Sequence, residues 1–331
     1  MTEAQGGETL DTDVRPFAAW MSDQLGATVA IIASQRTQQG FSNETWLLDV
    51  AYEDQQRSVV LRLEPGSKRL FPDTNVADQV LVLEALAANG EIPVPIVLWH
   101  EPSAAVLGRP FYVMDRVAGR IPSDTYLFEG WVHDLGPLAQ AQVQSSMIEA
   151  MASIHRLDWR AAGLGALSSA GLDHQFDYWG SYIEWAGIES PALRAAYDWC
   201  VQHRPHHEPP PSLVWGDARL GNLIFAEDLS VRAVLDWEMA SIGPAELDVG
   251  WHLMLERVAQ GFGGELEGFA DRSGAVAVYE HVLGRPVSNL DWYEIWGGVR
   301  AAAVNIRLGR LRSGREPASD PVLDAIFPLL N

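Results

Sequence analysis

The chain has 331 residues, a length typical of about two domains, and a formal net charge of −21 from 23 Lys and Arg against 44 Asp and Glu. Hydrophobic residues make up 47% of the sequence, which is enough for a sizeable core and excludes wholesale disorder. The negative charge argues against nucleic acid or an anionic membrane as the main partner. A single cysteine, Cys200, excludes an intramolecular disulfide and a cysteine-based zinc site.

The chain begins with an acidic, polar stretch, which is unlike a signal peptide. No apolar run reaches the roughly 20 residues that a membrane-spanning helix needs. We therefore expect a cytoplasmic protein that binds neither nucleic acid nor membrane. Residues 1–28 are expected to form an N-terminal arm and a lead-in helix.

Residues 29–117 have mostly strand-like patterns. Thr45–Val50 and Ser58–Leu63 are short and rich in β-branched and apolar residues, and the polar tract YEDQQR between them predicts a hairpin connection. Two further strands are predicted in the stretches IPVPIVLWH and RPFYVMDRV. This segment therefore predicts a small antiparallel sheet.

One helix is expected within this segment, at residues 74–89. Apolar residues recur there at helical spacing and form one apolar face, with Val76 and Val80 at its start. Asp73 or Thr74 could cap its beginning, and Gly90 follows its end. The segment is thus a sheet that carries one helix.

From residue 118 to residue 331 helical periodicity dominates. Four helical stretches are predicted: Pro137–His155, Gln175–Trp185, Leu193–Gln202, and much of Gly250–Leu311. A compact stretch between them, residues 212–251, alternates short β-type runs with acidic residues. The pattern predicts an α+β protein with a smaller sheet region and a larger helical region, and it places the chemistry in this stretch.

Three residues of this stretch carry the functional prediction: Asp217, Asn222 and Asp236. Asn222 begins one short strand and Asp236 ends the next, so a hairpin would bring their side-chain oxygens together. Carboxylate and amide oxygens are the ligands that Mg²⁺ uses together with phosphate oxygens. Asp217, on the preceding loop, could orient a hydroxyl and take its proton. These are the parts that phosphoryl transfer requires.

The spacing Asp-x-basic-x-x-Asn with a later Asp at a strand end matches the catalytic loop of protein kinases. The full stretch WGDARLGN…LDWE…ELDVGW resembles the aminoglycoside phosphotransferase family, which has a kinase-like fold. In detail it is more similar to the kinase-like domains fused to acyl-CoA dehydrogenases than to antibiotic-resistance enzymes. The resemblance implies a bilobal fold, with an ATP-covering N-lobe at residues 29–117, a C-lobe at residues 118–331, and ATP and Mg²⁺ as cofactors.

The resemblance also implies a role for individual residues. Asp217 corresponds to the catalytic aspartate, and Asn222 and Asp236 correspond to the Mg²⁺ ligands. Arg219 stands where kinases often have a lysine that contacts the transferred phosphate. Asp248 resembles a buried aspartate that braces the catalytic loop, although an ordinary helix N-cap explains it nearly as well.

The N-lobe should hold the nucleotide. The turn at residues 39–45 would cover the phosphates, with backbone N–H groups of Ser42 and Asn43 facing them, and a plain hairpin turn is the alternative. The main chain of Asp115 and Val117 would hydrogen-bond to the adenine edge.

The β-strand lysine of kinases is replaced here by Arg62, in the context VVLR. The usual helix glutamate falls at Gln79, beside Asp78, so we expect Arg62 to be held by one of these two side chains. The only lysine of the chain, Lys68, follows Pro65-Gly66 in a turn and is expected to be solvated.

The acceptor is the least defined part. The family name suggests an aminoglycoside, which a net charge of −21 would suit. The C-terminal arginines favour an anionic acceptor instead, unless they pair with acidic groups elsewhere; they are Arg300, Arg307, Arg310, Arg312 and Arg315. The resemblance to the kinase-like domains fused to acyl-CoA dehydrogenases implies a hydroxyacyl acceptor, and we therefore favour a metabolic hydroxy or hydroxyacyl compound. Antibiotic phosphorylation and a nucleotide-binding regulator without turnover are the alternatives.

Overall fold

A computed structural model describes residues 15–37, 42–73, 75–168, 171–315 and 320–330. The first part consists of α1 (Arg15–Leu25) and the strands β1 (Val29–Arg36), β2 (Glu44–Tyr52), β3 (Gln55–Leu63), β4 (Val97–Glu101) and β5 (Phe111–Asp115). The strands form one antiparallel sheet in the order β1-β2-β3-β5-β4. Phe17 and Met21 of α1 are buried in the apolar cluster of this sheet, so the lead-in helix packs with the N-lobe.

The hairpin between β2 and β3 is confirmed, and it is tighter than predicted. Only Glu53 and Asp54 form the turn, with Glu53 at φ 50°, and the rest of YEDQQR lies in the strands. The register pairs Thr45 with Arg62. Along β3, Val59 and Leu61 are fully buried against the α1 side of the sheet. Arg62 therefore lies on the opposite face, which faces the rest of the molecule.

The predicted helix is α2 (Val76–Asn89). Its N-cap is Asn75, whose side chain accepts a hydrogen bond from the N–H of Ala77, so Asp73 does not cap it and Thr74 lies outside the described residues. Gly90 ends the helix in the left-handed conformation at φ 77°, as predicted.

The second part is mainly helical, which confirms the predicted bilobal α+β class. Its helices are α3 (Pro137–Arg156), α4 (Leu172–Trp185), α5 (Pro191–Gln202), α6 (Glu246–Gly261), α7 (Arg272–Leu283), α8 (Leu290–Ser313) and α9 (Pro321–Ile326). Two short antiparallel strand pairs, β6 with β9 and β7 with β8, lie between α5 and α6. These strands are β6 (Pro211–Val214), β7 (Leu223–Phe225), β8 (Val231–Val234) and β9 (Ser241–Pro244).

The core of the C-lobe is built on the close contact of α6 with α8. A Cβ atom on Gly250 would overlap the backbone of Tyr293, and one on Gly297 would lie 3.1 Å from the Trp251 backbone. Glycine at these positions lets the two helices approach, and this fixes the position of Trp251 beneath the loop at residue 217. In the described part of the chain, the helices are all too short or too polar to cross a membrane.

Candidate active site

The loop that follows β6 presents the carboxylate of Asp217 to the cleft. Its Oδ2 accepts hydrogen bonds from Asn222 Nδ2 at 2.7 Å and Arg219 Nε at 2.9 Å, and its Oδ1 accepts one from Trp251 Nε1 at 3.0 Å. The Asp217 side chain remains 18% exposed. Three donors fix the orientation of this carboxylate, and an approaching hydroxyl can still reach it.

Asp248 braces this loop from below. It is fully buried in the first turn of α6, and its carboxylate accepts hydrogen bonds from the N–H of Trp215 at 2.6 Å and of Gly216 at 2.8 Å. In a third contact, Oδ2 of Asp248 lies 2.9 Å from Nε2 of His155. The N-cap position of α6 is Ala245, so the bracing interpretation is favoured over the N-cap alternative.

His155 extends the brace to α7. Its Nδ1 lies 2.6 Å from the hydroxyl of Tyr279. A neutral imidazole protonated on Nε2 donates to Asp248 and accepts from Tyr279, which satisfies both nitrogens. Gly216 has φ +95°, and a Cβ there would overlap Met239, so this position of the loop requires glycine.

The hairpin of β7 and β8 brings Asn222 and Asp236 to one end, as predicted. Leu223 pairs with Val234, and the N–H of Leu235 donates to the carbonyl of Asn222 at 2.9 Å. Asp236 follows with φ 63°, a left-handed conformation that Asp tolerates better than most residues. The turn out of the strand thereby directs the Asp236 carboxylate into the cleft.

The donor set of this pair fits a hard cation. Both hydrogen bonds of the Asn222 amide use Nδ2, so Oδ1 remains to bind a metal. The described residues contain no group of three or more His, Cys, Asp and Glu side chains that could hold a metal ion. A cation here would therefore need further oxygens from phosphate and water, which is how Mg²⁺ is usually bound with nucleotides.

Arg62 contacts Asp236, one of the two predicted metal ligands, and not the helix. Its Nη2 donates to Asp236 Oδ1 at 3.0 Å. In the described part of the chain, Arg62 makes no hydrogen bond to Asp78 or Gln79, the contact expected from the sequence, and its Nη2 is bonded to Asp236 instead. Burial alone would lower the pKa of Arg62, but nearby acidic groups outweigh it and raise the pKa above its ordinary value; they are Tyr112, Asp236 and Glu238.

Gln79 instead joins a buried network that links α2, the sheet and the turn after β1. Its Oε1 lies 3.4 Å from Asn43 Nδ2 and 3.3 Å from the Tyr112 hydroxyl. Asn43 also donates to Glu238 at 3.1 Å. The sequence prediction assigned Ser42 and Asn43 backbone contacts only, and their side chains prove to be buried against this network. Residues 39–41 of the predicted phosphate-covering turn lie outside the described residues.

Three atoms of this network are buried and have no hydrogen-bond partner among the described residues: Arg62 Nε, Gln79 Nε2 and Asn43 Oδ1. Buried polar groups are normally satisfied, so atoms of this kind indicate a missing partner. Two of the three are donors, and they belong to Arg62, which replaces the strand lysine of kinases, and to Gln79, which stands at the position of the helix glutamate.

Glu238 is a site residue to which the sequence interpretation assigned no role. It accepts hydrogen bonds from Asn43 and Ser42, and it lies two residues after Asp236. Burial, reinforced by the neighbouring charge of Asp236, raises the pKa of Glu238 to about 8. Glu238 is the last residue of the LDWE motif, but the sequence did not indicate that its carboxyl contacts Ser42 and Asn43.

Arg219 is held by two carboxylates. It contacts Asp217 at 2.9 Å and also forms an ion pair with Asp124, which the sequence analysis did not identify. Burial alone would lower its pKa, and Asp217 and Asp124 outweigh that effect and raise the pKa. The side chain lies at the edge of the cleft and is 33% exposed.

Of the two residues predicted to contact adenine, Asp115 already uses its N–H and its side chain within the protein. The N–H of Asp115 donates to the carbonyl of Ile96 at 3.0 Å, and the Asp115 side chain pairs with Arg57 at 2.7 Å. The N–H of Asp115 is therefore engaged within the sheet. The N–H of Val117 makes no hydrogen bond to another described residue.

A cavity of about 340 Å³ opens between the start of α2, α4 and the segment after Asp236, and Val214, just before the loop of Asp217, lines it. Among the C-terminal arginines, Arg300 lines this cavity. Arg307 donates to the carbonyl of Arg69, and Arg310 to that of Ala186. Arg312 and Arg315 are exposed. Thus one of the five arginines faces the cavity.

The model of the phosphotransferase enzyme family called APH matches residues 35–284. The chain belongs to this family. The matched range includes all the site residues described above, from Arg62 to Asp248, and it confirms the resemblance that the motifs indicated.

Curated APH relatives are longer proteins. The chain is 30% identical over 280 residues to acyl-CoA dehydrogenase family member 10 of Mus musculus, covering 80% of this chain and 25% of that protein. It is 26% identical over 251 residues to acyl-CoA dehydrogenase family member 11 of Homo sapiens, covering 72% and 31%. The chain thus spans about a quarter to a third of the length of these relatives.

Solved structures share the fold over nearly the whole chain. A proposed aminoglycoside phosphotransferase of Ralstonia eutropha JMP134 is 26% identical with a TM-score of 0.70, covering 96% of both chains. The macrolide 2′-phosphotransferase MphH of Brachybacterium faecium is 18% identical with a TM-score of 0.58, covering 94% of this chain and 96% of that one. The kinase-like fold class is therefore confirmed.

Proposed function

We propose that this APH protein is an ATP- and Mg²⁺-dependent phosphotransferase that transfers the γ-phosphate to a hydroxyl of a small metabolic hydroxy or hydroxyacyl compound. The observation that carries the proposal is the convergence of Asp217, Asn222, Asp236 and Arg62 at one cleft. In phosphoryl transfer the protein supplies mainly positioning and electrostatic stabilisation, and this arrangement offers both.

Asp217 positions the acceptor. Its carboxylate, held by Trp251 and Asn222, accepts the hydrogen bond of the incoming hydroxyl and then its proton. Arg219 keeps a positive charge beside the same carboxylate, where it can contact the transferred phosphate. The brace from Asp248 holds the loop rigid, so the reacting hydroxyl has one defined location.

Arg62 and Gln79 bind the nucleotide phosphates. The unpartnered donors Arg62 Nε and Gln79 Nε2 support this role, because phosphate oxygens would satisfy both. Asn222 Oδ1 and the Asp236 carboxylate would hold Mg²⁺, which when bound screens the phosphate charges. The carbonyl of Asp115 and the N–H of Val117 would face the adenine edge.

The choice of acceptor rests on the relatives and on Arg300. The curated relatives are named as acyl-CoA dehydrogenase family members, which favours an acyl compound over an antibiotic. Structures with ADP and hygromycin B exist for the phosphotransferase APH(4)-Ia, at 14% identity to this chain, and at that distance they support the fold and not the acceptor.

ADP release in the presence of a panel of hydroxyl compounds tests the proposal. The panel should contain hydroxy acids, hydroxyacyl thioesters, sugars, amino alcohols, aminoglycosides and a macrolide. We expect acceptor-dependent ADP release that EDTA abolishes, with a hydroxy acid or a hydroxyacyl compound as acceptor.

Two results would contradict the proposal. Turnover of an aminoglycoside alone would make the protein an antibiotic phosphotransferase. Tight Mg·ATP binding without turnover of any acceptor would make it a nucleotide-binding regulator.

A further inference from the structure

Arg300 of α8 is a buried cation with unused donors. Its side chain is only 4% exposed, and its Nη2 donates to the carbonyl of Gly216 at 3.2 Å. Nε and Nη1, which together carry three N–H groups, have no partner among the described residues. The guanidinium lies 5.0 Å from the ring centre of Trp251 and 5.5 Å from that of Trp179.

No carboxylate in the described structure neutralises this charge by contact. Asp248 and Asp217 act on Arg300 through space only. The hydrogen-bond donors to Asp248 are Trp215, Gly216 and His155, and those to Asp217 are Trp251, Asn222 and Arg219. Burial lowers the pKa of Arg300 to about 10, so it remains charged at neutral pH. An unpaired buried charge is expensive, and a protein normally retains one only where a ligand or a reaction uses it.

Arg300 also lines the cavity of about 340 Å³. This volume lies at the lower end of the range typical of small-molecule sites. Part of the wall is apolar and is formed by Phe71, Val214, Leu247 and Trp179. Gly216, whose carbonyl accepts the hydrogen bond of Arg300, directly precedes Asp217, so the Arg300 side of the cavity adjoins the loop that carries Asp217.

Three acidic side chains also line the cavity, and their positions leave Arg300 available. Asp73 is exposed and lies toward solvent, where its charge is screened. Asp78 is only partly buried, and its carboxylate interacts with Asn75. Glu238 is engaged by Asn43 and Ser42. His174, the remaining titratable lining residue besides Tyr178, is exposed.

We propose that Arg300 binds the carboxylate of the acceptor, so that this cavity takes a small hydroxy acid whose hydrocarbon chain lies on the apolar wall and whose hydroxyl is directed to Asp217. The inference rests on the proposed phosphotransfer and narrows its acceptor to free acids. Arg300 acts as an acceptor-binding residue and takes no part in proton transfer.

Binding of acids that lack a hydroxyl tests the site without any phosphoryl transfer. Sodium butyrate, valerate and hexanoate are the probes, with the corresponding amides as neutral controls at matched ionic strength. Thermal unfolding of the full chain should show a higher Tm with each acid and no change with the amides. An unchanged Tm of the wild-type protein with every acid would overturn the inference, whatever the outcome of the ADP assay.

Three variants assign the effect to Arg300. Arg300→Met replaces the buried charge by an apolar side chain of similar length and should fold, because it removes the cost of burying an unpaired charge. It should lose the response to acids, whereas Arg312→Met, an exposed arginine at the end of the same helix, should keep it. Ala240→Leu, which fills part of the cavity without removing Arg300, should also lose it. An Arg300→Met protein that responds to acids like wild type would refute the inference.

Turnover gives the second readout. For wild type, a hydroxy acid should have a KM at least tenfold below that of its hydroxy amide, and Arg300→Met should remove this difference in KM. Equal losses of kcat for both acceptors would instead show that Arg300 merely supports the loop at Gly216. If the acids bind but no acceptor turns over, the proposed phosphotransfer fails and the acid site stands.

Discussion

Nη2 of Arg62 lies 3.0 Å from Oδ1 of Asp236, and this ion pair joins the N-lobe sheet to the C-lobe loop across 174 residues of sequence. Asp236 is also the predicted metal ligand. The pair uses one carboxylate oxygen of Asp236, so the other can bind a cation while Arg62 keeps its place. The contact therefore aligns β3 with the predicted metal ligands.

Removal of the Arg62 charge should damage nucleotide use. A buried charge-assisted contact contributes roughly 1.5–3 kcal/mol, so Arg62→Ala should weaken ATP use by roughly ten- to a hundredfold. Arg62→Lys should recover part of this loss, because it restores the charge but not the second N–H edge. The KM for ATP measures both effects.

Lys68→Ala is the control for this series, because Lys68 is exposed in the loop after β3. It should leave the KM for ATP unchanged. A damaging Lys68→Ala together with a silent Arg62→Ala would contradict the assignment of Arg62.

The indole of Trp251 should influence chemistry more than binding. Trp251→Phe keeps an aromatic ring and removes the N–H that Asp217 Oδ1 accepts at 3.0 Å. We expect kcat to fall about tenfold, from a loss near 1.4 kcal/mol, with the KM for ATP unchanged. The matched control is Trp159→Phe, which loses an indole hydrogen bond of 3.1 Å to Pro211 away from the cleft. Equal kcat values for the two variants would refute this role of Trp251.

The buried brace should be worth several kcal/mol of stability. Asp248→Asn places an amide where two backbone N–H groups and His155 converge, so at least one donor loses its acceptor. Disruption of a buried charged contact typically costs 3–5 kcal/mol, and urea unfolding should show about that loss. Asp228→Asn, on an exposed turn, should change the free energy of unfolding by under about 0.5 kcal/mol. Similar values for the two variants would show that the brace contributes little.

Two glycines of α6 should respond in opposite ways to the same substitution. Gly250→Ala forces a methyl group into the Tyr293 backbone and should destabilise the protein by about 1–3 kcal/mol. Gly261→Ala, at the last residue of α6, meets nothing within 4 Å and should be neutral or stabilising by up to about 1 kcal/mol. Calorimetric Tm values for both variants check this. A neutral Gly250→Ala would mean that α6 and α8 do not pack as described.

The local features of the site could be predicted from the sequence, because they depend on interactions between residues that are close together in the chain. The hairpin that joins Asn222 to Asp236 followed from two apolar runs and the turn between them. The strand position of Arg62 followed from the short β-branched and apolar run SVVLRL. Local patterns of this kind indicate which element carries a residue, and they placed Arg62 on a strand and Asn222 and Asp236 beside the strands of one hairpin.

The partners of these residues could not be predicted, since each contact spans distant segments. Nothing local indicates that Arg62 pairs with Asp236 and not with α2, or that Asp124 reaches Arg219. Trp251 is an exception: it lies three residues after Asp248 on α6, and this helical spacing could have indicated that both face the catalytic loop. The sequence did not distinguish Arg300 from the other four C-terminal arginines, and only the structure shows that it lines a cavity.

Phosphate transfer by the Asp217→Asn variant is the most direct test of the proposed mechanism. With the acceptor found in the panel, kcat and the Kd for Mg·ATP should be measured side by side for wild type and the variant. We predict that kcat falls by at least a thousandfold while the Kd for Mg·ATP changes less than threefold, because Asp217 acts on the acceptor hydroxyl and not on the nucleotide. Equal turnover by the two proteins would show that Asp217 is not the catalytic residue and would contradict the account.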